Sequence, residues 1–149
     1  MSLNSAEAKI RTLAQANTTM QSFFGTTPFR WFYVREAGGY IATGTCCRVR
    51  RVSAVYQYVQ NGRICIEQAR LQFDVLDPSQ ETARNALLAL ESFMGTVDLM
   101  NTNQFNSPPT AGAQFANFTL SERSTIEVQI KQTVYVWSVD YRIFNNMSI

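Results

Sequence analysis

Residues 46–77 read CCRVRRVSAVYQYVQNGRICIEQARLQFDVLD, and residues 78–100 read PSQETARNALLALESFMGTVDLM. The first segment predicts a long β-hairpin with its turn at Asn61-Gly62, because a type I′ turn needs positive φ at both central residues. After the turn, apolar and polar residues alternate, as they do in a strand with one buried face. The apolar set is Ala69, Leu71, Phe73 and Val75, and the polar set is Gln68, Arg70, Gln72 and Asp74. The second segment predicts an amphipathic helix, so the whole stretch specifies a β-β-α unit.

The segments on either side predict one more helix and further strands. Residues 5–24 have apolar residues at helical spacing and predict a helix with Ser5 as its N-cap. Residues 28–34 are aromatic and favour a short first strand, and residues 115–120 predict another. Residues 125–144 predict one long strand or two collinear ones, with a bulge or bend near residues 131–133 where the apolar positions change parity. The expected fold is α+β, a mostly antiparallel sheet with two helices packed on one face.

The carboxylates around the second helix have a structural interpretation. Asp77 precedes Pro78, which predicts Asp77 as the N-cap and proline at the first helical position. Glu81 then lies in the first turn, where the helix dipole favours an acidic side chain. We therefore interpret these groups, with Asp74 and Glu91, as structural residues rather than an acid/base pair or a metal site.

The composition limits the classes of function that the chain could have. A chain of 149 residues fits a single domain, residues 1–149, and 16% charged residues is low, as expected when other subunits cover part of the surface. The net charge of +2, from 13 basic and 11 acidic residues, is too balanced for a dedicated nucleic-acid-binding protein. The polar N-terminal sequence and the lack of a long apolar run predict no secretion signal and no membrane partner.

The side chains that most often carry catalysis are few. The sequence has no histidine, which removes the commonest general base and neutral metal ligand. Adjacent Cys46 and Cys47 point to opposite faces of a strand, so we expect buried free thiols in a reducing cytosol, with a disulfide of Cys65 as the alternative. The glycine-rich residues 36–45 lack a phosphate-binding motif. We predict no catalytic residues, no metal and no cofactor.

Arg48, Arg50 and Arg51 form the one concentration of charge. With Tyr56 and Tyr58 nearby they would suit a sheet that binds RNA or single strands, but no such motif surrounds them. We favour ion pairs with Glu67, with Asp74 or with a neighbouring subunit.

The central motif resembles a known family. Residues 70–75, Arg-Leu-Gln-Phe-Asp-Val, repeat the arginine–hydrophobic–glutamine–hydrophobic–aspartate–hydrophobic strand that precedes a helix in the tail terminator, or tail completion, proteins of long-tailed bacteriophages. The matching helix positions are Thr82, Ala83, Leu87 and Leu90. Residues 139–143, Val-Asp-Tyr-Arg-Ile, resemble the last strand of that family. The order of elements is similar over residues 5–144.

The resemblance implies a structural virion protein without enzymatic activity. Such a protein forms a homo-oligomeric ring, typically a hexamer, in the neck region of the virion tail after assembly in the host cytoplasm. The ring ends polymerisation of the tail tube protein at its head-proximal end, joins the tail to the head-tail connector protein, and leaves a channel through which DNA passes without sequence-specific binding. The alternatives are another connector or tail tube subunit, or a nucleic-acid-binding α+β module.

Ring closure requires each subunit to offer a strand edge or loop to the next. We expect contacts from the hairpin tip, from residues 38–45 and from residues 101–112, a stretch rich in Asn, Pro and Gly. The residues predicted to lie at a subunit or channel interface are Arg48, Arg50, Arg51, Asn61, Gly62, Gln68, Arg70, Gln72, Asp74, Phe105, Pro108 and Pro109.

Overall fold

The computed structural model describes residues 5–33, 44–58, 64–100, 115–129 and 132–148. These residues form three helices and five strands, which confirms the α+β class. The elements are α1 (Ala6–Gln15), α2 (Thr18–Phe24), β1 (Trp31–Tyr33), β2 (Cys46–Tyr58), β3 (Ile64–Asp77), α3 (Gln80–Met100), β4 (Phe115–Gln129) and β5 (Gln132–Ser148).

The strands form one sheet in the order β1-β2-β3-β5-β4. The predicted hairpin is confirmed: β2 and β3 pair antiparallel from Cys46 opposite Leu76 to Tyr58 opposite Cys65. β5 then pairs antiparallel with β3 on one side and with β4 on the other, and β1 alone runs parallel to its neighbour, β2. β3 therefore lies at the centre of the sheet, with a strand on each side.

The N-terminal helix predicted over residues 5–24 is two helices. Ser5 caps α1 as predicted, its side chain accepting a hydrogen bond from Ala8 N, and α1 ends at Gln15. Asn17 then caps α2, because its Oδ1 accepts a hydrogen bond from Met20 N at 3.0 Å. An asparagine at this position competes with helical hydrogen bonding, which starts a new helix inside a continuous apolar pattern.

The predicted bulge near residues 131–133 is wrong. β4 and β5 form a hairpin in which Gln129 pairs with Gln132, so the chain reverses between those residues. The change of parity along residues 125–144 therefore reflects a turn between two antiparallel strands. The strands do shift register at two other places, between Thr119 and Ser121 in β4 and between Arg51 and Ser53 in β2.

The N-cap of α3 also differs from the expected one. Ser79 begins the helix, because its carbonyl accepts from Ala83 N and its hydroxyl accepts from Thr82 N. Asp77 instead accepts a hydrogen bond from Ser79 N at 2.7 Å, and its other oxygen accepts one from the Thr45 hydroxyl. Asp77 thus fixes the backbone that leads into α3, two residues before Ser79.

All three helices contribute to one apolar core on a single face of the sheet. The predicted apolar set of β3 lies in it, fully buried, together with the rings of Phe24, Trp31 and Tyr141. Cys47 belongs to this core, whereas Cys46 lies in a smaller apolar cluster with Leu76, Val134 and Val136. Both thiols are buried and neither forms a disulfide. Their places in two different apolar clusters confirm the prediction that they lie on opposite faces.

Candidate interaction surface

The side of the sheet opposite the core carries the small apolar cluster of Cys46, Leu76, Val134 and Val136 at one end. The rest of that side is mostly polar along β2, β3 and β5, and we call it the polar face. It is built from alternate residues of β2, β3 and β5, in rows set by the strand register. Its polar members are Arg48, Arg50, Ser53, Gln68, Arg70, Gln72, Asp74, Ser138, Asp140 and Arg142. Six of these ten were predicted as interface residues from the sequence. Val55, which is opposite Gln68, lies on the same side.

Asp74 is the centre of a hydrogen-bonded cluster on this face. The carboxylate is 1% exposed and accepts bonds from Arg48 Nε at 3.1 Å and Nη2 at 3.0 Å. Its Oδ1 accepts from Gln72 Nε2 at 2.8 Å and from Ser138 Oγ at 2.6 Å. The predicted ion pair between Arg48 and Asp74 is confirmed, and the carboxylate is satisfied within its own chain.

Asp140 provides a second buried carboxylate, one row along the same face. Its Oδ2 accepts from Arg70 Nη2 at 2.8 Å, and the Arg70 side chain is 46% exposed while that of Asp140 is 2% exposed. Arg50 and Arg142 are exposed and form no ion pair or hydrogen bond with the residues that the structure describes. The polar face therefore places carboxylates beneath guanidinium groups that reach the surface.

The predicted polar set of β3 divides into two kinds of residue. Gln72 and Asp74 are buried by their own chain, Gln68 is half-buried, and Arg70 is exposed. Alternation predicted which side these residues face. Alternation did not predict how deeply each of these residues is buried, because the side chains that bond to them lie on other strands.

Arg51 lies on the opposite side of the sheet from Arg48 and Arg50. Its Nε and Nη2 donate to the two carboxylate oxygens of Glu7, and Nη2 also pairs with Glu67 Oε2 at 2.8 Å. Glu67 also accepts from Ala6 N at 2.9 Å, which ties the start of α1 to β3. The Glu67 ion pair was predicted and the Glu7 pair was missed, since 44 residues separate Glu7 from Arg51.

The pKa values of this pair follow from its surroundings. Burial raises the pKa of the Glu7 carboxyl, but the hydrogen bond and positive charge of Arg51 outweigh it, so the pKa is lowered. The hydrogen bond to Glu7 raises the pKa of Arg51, so the guanidinium stays charged. The pair is therefore ionised at neutral pH.

Replacing Glu7 by glutamine should lower the free energy of unfolding by about 1–2 kcal/mol at pH 7. A carboxyl with a lowered folded pKa stabilises the fold above its unfolded pKa and loses that contribution as pH falls through the folded pKa. The difference between wild type and Glu7→Gln should thus shrink below about pH 4.5, the ordinary glutamate value. Urea unfolding at several pH values measures it.

Glu81→Gln is the matched control, because Glu81 is exposed in the first turn of α3. We expect this variant to show a smaller difference at pH 7. A Glu7→Gln difference that stays constant down to pH 3 would contradict the assignment of the pair.

The distal part of the hairpin exposes apolar side chains beside an unpaired strand edge. β1 pairs only with Cys47–Val49, so the outer edge of β2 beyond Val49 has no strand partner among the described residues. The register shift inserts Val52, which is exposed, as are Val55 at 57% and Tyr56. Unpaired edges with exposed apolar residues are where chains associate. β4 forms the other edge of the sheet.

Several predicted contact residues cannot be placed. Asn61, Gly62, Phe105, Pro108 and Pro109 lie outside the described residues, as do residues 34–43 and 101–114. Their roles stay predictions.

Among the residues that the structure describes, no cluster of three or more His, Cys, Asp or Glu side chains could hold a metal ion. None of the helices in that part of the chain has the length and hydropathy needed to cross a membrane.

Comparison with known proteins finds similarity of fold. No protein-family model and no curated protein matches the sequence. The fold is similar to that of a chain in a solved structure described as "Virion of native gene transfer agent (GTA) particle", with a TM-score of 0.54 and 10% sequence identity. The match covers 91% of this chain and 91% of that chain. At this identity, the comparison shows that the two chains share a fold.

Proposed function

We propose that this chain is a structural subunit of a phage-like virion. The observation that carries the proposal is the fold shared with a chain of a gene transfer agent virion, which extends over 91% of both chains. Because the match covers nearly the whole of each chain, it concerns the complete arrangement of helices and sheet. A subunit of this kind assembles with other virion proteins and needs no catalytic group.

The finer proposal is a tail terminator. The chain would form a ring, a hexamer by analogy with the family its central motif resembles, at the head-proximal end of the tail. The ring would end tail tube polymerisation and join the tail to the head connector in the neck of the virion. What supports this role is the resemblance of residues 70–75 and 139–143 to the family's strands.

The exposed strand edges provide a physical route to ring closure. The outer edge of β2 beyond Val49 and the outer edge of β4 lie at opposite ends of the strand order. A contact between unlike edges of successive subunits is heterologous, and it closes into a ring when the rotation per subunit divides a full turn. Such a contact would bury Val52 and Val55, which would explain why both are exposed in the single chain.

Negative-stain electron microscopy and light scattering of the purified chain test this proposal. We expect closed rings of uniform size for the wild type and loss of rings for Val55→Glu, because a carboxylate would be buried at the contact. Leu88→Glu is the matched control, since Leu88 is similarly exposed but lies on α3, and it should still form rings.

Two outcomes would count against a terminator. Open-ended tubes would indicate a tail tube subunit, the nearest alternative. A monomer at high concentration, with no rings on addition of the tail tube protein, would contradict ring formation itself.

A further inference from the structure

The polar face carries more positive charge than its own carboxylates balance. It holds Arg48, Arg50, Arg70 and Arg142, whereas Asp74 and Asp140 are its acidic members among the side chains that the structure describes. Asp74 pairs with Arg48 and Asp140 with Arg70. The remaining two arginines leave an excess of two positive charges at the surface.

The register brings the exposed arginines close together. Arg70 and Arg142 are directly opposite each other on neighbouring strands, and Arg50 is opposite Gln72, one row along. Neighbouring strands are about 4.8 Å apart. Like charges in directly opposite positions destabilise a sheet, and Asp140 forms its ion pair with Arg70. A bound anion would remove the cost.

The buried carboxylates orient these groups without neutralising the face. Asp140 holds Arg70 from below through a 2.8 Å bond to one terminal nitrogen, Nη2, so much of the guanidinium still faces solvent. A guanidinium presents a planar fork of donors that matches the oxygens of a phosphate. The face is thus a set of positioned phosphate donors on rigid strands.

The described side chains give a second copy of this chain little acidic surface with which to cover the face. Among the described side chains, the carboxylates Glu7, Glu67, Asp74, Asp77 and Asp140 are all buried. The others are Glu81, which is exposed on α3, and Glu91, which is half-buried there. Of these side chains only Glu81 is exposed, so the described side chains offer a single exposed carboxylate to complement the arginines. A polyanion supplies the missing charge.

We propose that the polar face binds the phosphate backbone of double-stranded nucleic acid without reading its sequence. A duplex presents one phosphate charge per about 1.7 Å of its axis, which suits a face on which several guanidinium groups lie close together. This inference goes beyond the virion proposal and does not depend on ring formation.

Fluorescence anisotropy with a short labelled DNA duplex, at about 50–200 mM salt, tests the inference. The affinity should fall as salt rises, and Arg50→Gln with Arg142→Gln should reduce the slope of log K against log salt by about two. The control is Arg11→Gln with Arg84→Gln, which removes the same charge from α1 and α3 on the other side of the sheet. It should leave the slope unchanged.

Three results would overturn the inference. They are no binding at the lowest salt, an equal loss in both double variants, and a loss of self-association in the Arg50/Arg142 variant with duplex affinity intact. The last would assign the face to a subunit contact. Light scattering on the same samples reports the oligomeric state, so failure to bind DNA and failure to form rings are separate results.

Discussion

Replacing Phe73 by alanine should lower the free energy of unfolding by about 3–5 kcal/mol. Phe73 is fully buried at the middle of β3, and its ring packs edge-on against Trp31 and Tyr141, with centroids 5.9 Å and 5.7 Å away. The substitution removes the apolar contacts and leaves a cavity. Because β3 has a paired strand on each side, its backbone cannot move inward to fill that cavity.

Urea denaturation followed by tryptophan fluorescence measures this effect, since Trp31 reports directly on the ring cluster. Leu88→Ala is the control: Leu88 is 46% exposed on α3 and alanine suits a helix, so the change should stay within about 0.5 kcal/mol. Phe73→Leu should lie between the two. Equal losses for Phe73→Ala and Leu88→Ala would mean that the aromatic cluster is not the centre of the core.

Alternation in β3 was sufficient to predict the core face. Ala69, Leu71, Phe73 and Val75 all lie in the core because successive side chains in a strand point to opposite sides. The hairpin of β2 and β3 was predictable for a related reason, since a single turn signal joins two segments of matching length. These are local properties, and a sequence records them directly.

The features that were missed depend on contacts between distant residues or on weak local signals. Ile130 and Lys131, the residues between Gln129 and Gln132, have none of the usual turn chemistry, so the sequence predicts a bulge where the structure has the β4–β5 hairpin. The parallel pairing of β1 with β2 produces no recognisable sequence pattern in either strand. The break at Asn17 did have a signal, because asparagine is a preferred N-cap.

The polar face shows the same limit at the candidate site. Asp74 is 26 residues from Arg48 and 64 residues from Ser138, so its burial arises only when β2, β3 and β5 pair. The sequence identified Arg48 and Asp74 as candidate partners but could not tell an internal pair from a contact between subunits. Of the arginines that remain exposed on the polar face, Arg50 and Arg70 were predicted as interface residues from the sequence, and Arg142 was not.

Replacing Asp74 by alanine should lower the free energy of unfolding by about 3 kcal/mol, at the lower end of the range for breaking a buried ion pair. The loss arises because Gln72, Ser138 and Arg48 each lose an acceptor, and the first two are themselves buried. The Arg48 side chain is 22% exposed, so its charge can regain some water. Urea unfolding at pH 7 measures the change.

A double-mutant cycle separates the ion pair from the rest of the cluster. Arg48→Gln should cost less than Asp74→Ala, because it leaves the bonds from Gln72 and Ser138 to the carboxylate in place. The double variant should lose less free energy of unfolding than the two single variants lose together, because the charge of Arg48 is no longer left without its carboxylate. Strictly additive costs would show that the two residues do not interact in solution. A coupling would instead establish that the carboxylate beneath the polar face stabilises the fold by holding an arginine, the same arrangement that Asp140 repeats with Arg70 one row away.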